Sequence, residues 1–351
     1  MDDRISVKLI SAEDILAANC INIEEIIAVI EKVLLQYKSG NILLPDKISQ
    51  TFDEESQSRI NCMPSAIYTL GTNGICGVKW VSVFPQNPLL YNRPNVSGVV
   101  VLSEMKYGLP LAIMDGTLIT TLRTACMGAI GAKYLARRNS NAYCAIGAGE
   151  QGKMHFAAIK TLFPQIDTCY VASRTAKSET DFCMEMGEKY PTVRFIACAS
   201  NYQRAAENAD IIVTAVSSQL PLLKADAIKK GAFYCHVGGI EDEDEVSLKA
   251  DKIVCDNWNS LKHRSTPTLS RLYAEGRIKD EDIYCDIADI IDGTKPGREN
   301  DMEFNYFNSI GLSFVDVAVA FSFYKKIVEK GMGIDWIIRD SSIWECIKRV
   351  M

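Results

Sequence analysis

The sequence predicts an α/β protein in two parts: a doubly wound parallel sheet flanked by helices, and an α+β part with a mostly antiparallel sheet. Downstream of Tyr143, short apolar runs alternate with helix-length amphipathic stretches, which is the pattern of parallel βαβ units. An apolar run, Tyr143 to Ile146, leads straight into Gly147-Ala-Gly-Glu-Gln-Gly152 and then a helical pattern. This turn lies near the middle of a 351-residue chain, so a separate domain is expected ahead of it.

The expected elements follow in chain order. Ile23 to Tyr37 has helical apolar spacing, and beyond Leu43-Leu44-Pro45 the pattern becomes strand-like at Arg59 to Cys62, Ile75 to Val83, Val96 to Leu102 and Leu109 to Met114. Lys106-Tyr107-Gly108 supplies a hairpin turn between the last two. An Ala/Gly-rich helix containing Arg123 precedes the glycine turn. After the turn, strands are expected at Thr168 to Ala172, Val193 to Ala197, Asp210 to Thr214, Ala232 to Val237 and Lys252 to Cys255. Gly311 to Lys330 reads as one amphipathic helix that returns to the first domain. The expected division is residues 1–125 with 312–351, and residues 126–311. No internal repeat, low-complexity tract or flexible linker is apparent.

The glycine turn carries the first chemistry. In G-x-G-x-x-G between strand and helix, Gly147 permits the tight turn, Gly149 lets a pyrophosphate approach the backbone, and Gly152 lets the helix pack closely. Amides of Ala148, Gly149, Glu150, Gln151 and Gly152 then face the phosphates at a helix N-terminus. A Rossmann-type dinucleotide site is expected, against the plainer reading of a glycine turn in another α/β fold.

Composition removes other classes. A net charge of −6 with no long Lys/Arg run argues against nucleic acid or an anionic membrane as partner. The longest apolar stretch, Ile310 to Tyr324, is interrupted by Asp316, and the Met-Asp-Asp-Arg start lacks a signal-peptide charge pattern, which points to a cytoplasmic protein. Twelve cysteines without a C-x-x-C pair, and three histidines, fit reduced thiols and no metal site.

Two basic residues stand in apolar settings. Lys79 shares a strand face with Ile75, Val81 and Val83, so it either meets an anion, acts as an acid/base, or snorkels from an edge strand. Arg123, near the start of the small-residue helix, could fork onto a carboxylate or could simply be exposed at a helix start.

Met63-Pro64, Gly77-Val-Lys-Trp-Val-Ser82, Leu109-Pro-Leu-Ala-Ile-Met-Asp115, Leu122-Arg-Thr-Ala125, the glycine turn, Gly297-Arg298 and Ser309-Ile-Gly311 with Asp316 occur in an order that resembles the ornithine cyclodeaminase/mu-crystallin family. The resemblance spans nearly the whole chain. It implies an NAD(P)-dependent oxidoreductase acting on the C–N bond of an α-amino or imino acid, usually dimerised through the first domain. It also implies that Lys79 and Arg123 hold an α-carboxylate and polarise the nitrogen centre, with Lys47 where cyclodeaminases carry a carboxylate-binding arginine; a solvated loop lysine is the alternative for Lys47. Thr124, Thr214, Val216 and Ser309 complete the expected cofactor contacts.

The departures bear on the reaction. Where cyclodeaminases carry a cyclising aspartate, Val237-Gly-Gly-Ile-Glu-Asp242 places Ile240, and Asn61 stands where their glutamate precedes Met-Pro. Glu241 or Asp242 could replace the acid if the loop shifts; otherwise Glu241 to Glu245 is a solvated acidic turn. Lys252-Ile-Val-Cys-Asp-Asn-Trp258 and Gly293-Thr-Lys-Pro-Gly-Arg-Glu299 look closer to the diaminopropionate-type amino-acid dehydrogenases. The expectation is therefore an amino-acid dehydrogenase or ketimine reductase. Its rivals are an ornithine cyclodeaminase, giving proline and ammonia, and a crystallin-like ligand-binding protein. At the end of the second Rossmann strand, Ser173 and Arg174 stand where an acid would bind a ribose hydroxyl, which favours NADP(H) over NAD(H).

Overall fold

The computed structural model describes residues 4–53, 55–264 and 266–351, and divides the chain into two units, residues 1–120 with 313–351 and residues 121–312. The first unit opens with strand β1 (Ile5–Ile10), a helix at Ala12–Ala17 and the helix Ile23–Lys38. Strands β2 (Ile42–Leu43), β3 (Ile48–Asp53), β4 (Ser58–Ile67), β5 (Ile75–Val83), β6 (Val96–Glu104) and β7 (Pro110–Asp115) follow. In β5 the period of two is plain: Ile75, Lys79 and Val81 are buried, while Trp80 between them is 42% exposed. The β6–β7 hairpin is held by the Glu104 carboxylate, which accepts the amides of Lys106, Tyr107 and Leu109 at 2.7, 2.7 and 3.2 Å. Strand β4 runs beyond the expected Arg59 to Cys62, carrying Met63-Pro64 with it. Pro64 tolerates this because β3 pairs only as far as Cys62 and β2 begins at Ala66, leaving a gap in the ladder on that side.

The helix Gly116–Leu135 starts directly from β7, with the Asp115 carboxylate accepting the amide of Leu118 at 2.7 Å. Residues 122–132 are buried without interruption, so the small side chains pack on all sides and no amphipathic stripe forms. The unit boundary falls inside this helix, at 120/121 rather than the expected 125/126, and Arg123 and Thr124 belong to the second unit. A continuous, wholly buried helix offers no linker signal to read.

The second unit contains β8 (Ala142–Ile146), β9 (Thr168–Ala172), β10 (Arg194–Ala197), β11 (Ile211–Thr214), β12 (Phe233–His236), β13 (Lys252–Cys255), β14 (Cys285–Asp286) and β15 (Asn305–Asn308). All pair in parallel, in the order β10-β9-β8-β11-β12-β15-β13-β14. This is a doubly wound sheet whose strand order reverses between β8 and β11, the switch point at which such sheets bind ligands. The five strands expected after the turn are present. Strand β15 is an addition: it inserts between β12 and β13, and its sequence Asn-Tyr-Phe-Asn gives no alternation to read.

The chain then returns to the first unit through the helix Ser313–Glu329 and the final strand β16 (Ile334–Arg339). The first sheet reads β16-β1-β7-β6-β5-β4-β2, with β3 beside β4, and only β1 and β7 are parallel. The returning helix packs on β4, β5, β6 and the Ile23–Lys38 helix. It corrects the amphipathic expectation, because Ser313 to Phe321 are all buried between sheet and helix. Among the described residues, no helix is long and apolar enough to cross a membrane.

Candidate functional site

In the second unit the glycine turn has the geometry a pyrophosphate requires. Gly147 adopts φ +115°, and a Cβ there would stand 2.5 Å from the Ala215 carbonyl oxygen and 3.1 Å from Val216 Cγ1. A Cβ on Gly152 would run into the Gly147 carbonyl oxygen, so helix Glu150–Leu162 can approach the turn only with glycine at that position. Gly149, the N-cap, is different: nothing lies within 4 Å of where its Cβ would be. The first amides of the helix have no intrahelical acceptor, and Gln151 Oε1 is buried without a hydrogen-bond partner. A close backbone face with open space and unspent polar groups fits a dinucleotide.

One helical turn on, His155 Nδ1 lies 2.8 Å from the Gln151 carbonyl oxygen, while Nε2 is buried without a partner. Burial, aided by the Arg123 charge and opposed by the Gln151 carbonyl, pushes this imidazole down to about 4. At neutral pH Nδ1 therefore keeps the proton and donates to Gln151.

At the end of β9, Ser173 Oγ is 2.6 Å from Ser178 Oγ and donates to the Thr175 carbonyl oxygen at 3.1 Å, and Arg174 is exposed. The next carboxylate in sequence, Glu179, is fully buried. It accepts the amides of Ser173, Ala199 and Ser200 at 2.9, 2.8 and 2.7 Å and so points away from this surface.

Four expected site residues are corrected. Glu241 and Asp242 form neither a solvated acidic turn nor an exposed acid, since both are buried; both oxygens of Glu241 and Oδ1 of Asp242 are engaged within their own unit, while Asp242 Oδ2 has no hydrogen-bond partner among the described residues. Glu241 accepts from Thr214 Oγ1 at 2.6 Å and from the amides of Val216, Val237 and Gly238 at 2.8 to 2.9 Å. Asp242 accepts from Thr268 Oγ1 at 2.7 Å and lies 2.9 Å from His236 Nδ1. Thr214, expected at the cofactor, is fully buried between Glu241 and Tyr234. Ser309, expected there too, donates to Asp256 Oδ2 at 3.2 Å, an oxygen that also accepts the amides of Ile310 and Gly311. In each case a buried polar side chain finds its partners in the interior. Val216 does border the glycine turn, through the Cγ1 contact at Gly147.

Arg123 is nearly buried, and its guanidinium lies over Gly311, where a Cβ would stand 2.6 Å from Nη1. Thr124, next to it, is equally enclosed.

In the first unit, Lys79 is 1% exposed and its Nζ lies 2.9 and 2.8 Å from the two oxygens of Asp316, which is 0% exposed. The lysine on a buried strand face thus meets an anion rather than snorkelling out. Its partner comes from the returning helix, 237 residues away, a pairing that no local pattern signals. Asp316 position is fixed by the start of that helix, where Ser313 Oγ donates to the Pro64 carbonyl oxygen at 2.7 Å. Lys47 is half-buried in the connection between β2 and β3.

A doubly wound sheet with this glycine turn at its switch point defines a dinucleotide-binding protein of the Rossmann class. The chain belongs to the ornithine cyclodeaminase/mu-crystallin family, whose model matches residues 8–331. It is 30% identical to the N-((2S)-2-amino-2-carboxyethyl)-L-glutamate dehydrogenase of Staphylococcus aureus, over 78% of this chain and 81% of that protein. Among solved structures it resembles the Δ1-pyrroline-2-carboxylate reductase of Thermococcus litoralis in complex with NADH and L-proline, with TM-score 0.86, 29% identity, and 93% and 99% of the two chains covered. An archaeal alanine dehydrogenase dimer with bound NAD gives TM-score 0.85 and 29% identity, with 95% and 100% covered. The chain is an enzyme of the amino-acid dehydrogenase or imine reductase type, dependent on a nicotinamide nucleotide.

Proposed function

We propose that this enzyme moves hydride between a nicotinamide nucleotide and the Cα of an α-amino or imino acid, with Lys79, Arg123 and Lys47 serving the substrate and NADP(H) the preferred nucleotide. The observation that carries the reading is Lys79, an ammonium 1% exposed and held on both oxygens of Asp316. A buried ammonium with a fixed counter-ion is held in position, which suits electrostatic and proton-transfer work at a substrate nitrogen. The nucleotide supplies the hydride donor or acceptor. In imine reduction the C=N carbon gains hydride and the nitrogen gains a proton, for which Lys79 is the donor; in amine oxidation both steps reverse. Arg123 and Lys47 clamp the α-carboxylate, with the guanidinium plane set by its contact on Gly311.

The NADP(H) preference rests on the surface at the end of β9. Exposed Arg174 and the hydroxyls of Ser173, Thr175 and Ser178 favour a 2′-phosphate, and Glu179 is turned inward where it does not repel one. A homodimer, by analogy with the archaeal alanine dehydrogenase, is part of the proposal. Ring closure of ornithine is disfavoured because the two replacement acids, Glu241 and Asp242, are buried in the interior.

The test is to follow NADH, NADPH and their oxidised forms by absorbance against cyclic imines, oxo acids with amines, N-substituted amino acids and ornithine. Turnover of an imine or secondary amine with net nucleotide oxidation or reduction is expected. Proline and ammonia from ornithine without net nucleotide change would replace this reading with the cyclodeaminase.

A further inference from the structure

The run Glu241-Asp242 forms the centre of a buried ionic cluster that the proposed chemistry does not use. Its location is informative. Glu241 Oε1 accepts the amide of Val216 at 2.8 Å, and Oε2 accepts those of Val237 and Gly238 at 2.9 and 2.8 Å. The same residue's carbonyl oxygen accepts the amides of Leu222 and Leu223 at 3.0 and 3.1 Å. One residue thus ties both ends of the 216–223 loop, which follows β11, to the loop that follows β12. The first of these loops also touches the glycine turn, because Ala215 O and Val216 Cγ1 bound the space beside Gly147. On the other flank His236 closes the second loop: Nδ1 lies 2.9 Å from Asp242 Oδ1 and 3.0 Å from Tyr306 Oη, and Nε2 lies 2.9 Å from the Gly239 carbonyl oxygen and 3.8 Å from Glu241 Oε2. The cluster is local, one imidazole between two carboxyl groups.

We propose that Glu241 is a positioning residue of the nucleotide site, which sets the spacing of the β11 and β12 loops against the glycine turn and so shapes the crevice beyond the switch point for the nicotinamide half of the dinucleotide. This rests on the nicotinamide-dependent reading above. The carboxylate is required because every group around it is a donor: three amides and a hydroxyl are satisfied only by two acceptor oxygens. In Glu241→Gln the shape is kept but one oxygen becomes an NH2 that must face a donor.

Three measurements on the full-length protein test this. The dissociation constant of NADPH and of NADH, from quenching of protein fluorescence, is expected to rise about tenfold in Glu241→Gln, the order expected when a buried hydrogen-bond partner is lost. Maximal turnover at saturating nucleotide is expected to stay within about threefold of wild type, a split that general loss of packing would not give. Amide hydrogen exchange in the nucleotide-free protein is expected to quicken at residues 215–218 and 237–239 and to stay slow in β8 and β9. A folded variant that binds nucleotide and exchanges as wild type does would overturn the proposal. If the variant does not fold, Thr214→Val decides, since it removes one donor and keeps the charge: weaker nucleotide binding supports the role and unchanged binding overturns it. If the wild type itself binds neither nucleotide, the functional reading fails, and the exchange measurement still decides whether Glu241 staples the two loops.

Discussion

The two units each bury an ionic cluster, and the two are built in opposite ways. In the first, Lys79 and Asp316 meet across 237 residues as a pair. In the second, His236 and Asp242 are six residues apart, and the neighbouring Glu241 is surrounded by backbone and hydroxyl donors. The difference lies in what remains when one member is removed. Without Asp316 a buried ammonium loses the carboxylate that holds it, whereas without His236 the Glu241 carboxylate keeps its four donors. A distant pair of this kind depends on the whole unit having folded; a local one is stabilised by its own loop.

The comparison is sharpened first at Lys79, the end of the pair proposed to act on substrate. Lys79→Met is expected to lower kcat/KM by about a thousandfold, within the range of general acid catalysis, with nucleotide affinity in a fluorescence titration unchanged. Wild-type turnover in that variant would remove Lys79 from the reacting centre.

Asp316→Asn is expected to reduce unfolding stability by about 3–5 kcal/mol, read as a thermal midpoint lower by roughly 10 °C, because it removes the carboxylate that holds the buried ammonium. The double variant Lys79→Met/Asp316→Asn should recover most of that loss, since no charge is then stranded. A double variant as unstable as Asp316→Asn would mean that the pair does not explain the buried acid.

For the local cluster the readout is pH. Burial works against the His236 charge, but Asp242 and Glu241 outweigh it and push the imidazole up to about 9 from an ordinary 6.5. A raised folded-state value means that its stabilisation is fully present below pH 6.5 and is lost as pH rises through 9, a few kcal/mol in all. The wild-type thermal midpoint should therefore decline between pH 6.5 and 9, and His236→Asn should flatten that limb. An equally steep limb in the variant would show that the imidazole is not charged in the folded protein.

The smallest effect on stability is expected at an exposed charge outside both clusters. Arg174→Ala should change stability by no more than about 0.5 kcal/mol while raising the KM for NADPH about tenfold and leaving that for NADH nearly unchanged. Equal loss for both nucleotides would dissociate Arg174 from the 2′-phosphate.

What could be read from the chain follows the same divide between local and distant. The doubly wound sheet was legible because the five strands expected after the turn are short, largely apolar runs separated by helix-length stretches, and the glycine turn because its spacing is a local steric requirement. Strand β15 was not, since four residues of mixed polarity reveal their place only when β12 and β13 flank them. Lys79 stood out as a charge on a buried strand face. Its partner Asp316 stood out only as an interruption in an apolar helix, with nothing to say that the two belong together. Glu241 and Asp242 were misread for a different reason: five consecutive acids, Glu241 to Glu245, resemble a solvated run, yet the first two are buried.

Gly311 gives the Arg123 guanidinium its bed, with φ +78° and no Cβ to displace Nη1. The setting of that cation is thus controlled by an uncharged position. An alanine at 311 would strain the backbone and tilt the guanidinium by a distance of about an ångström, a displacement that can alter rates by two orders of magnitude when it occurs at a clamp. On the proposed role of Arg123, substrate choice is open to retuning by a single methyl group, with every charged residue left in place.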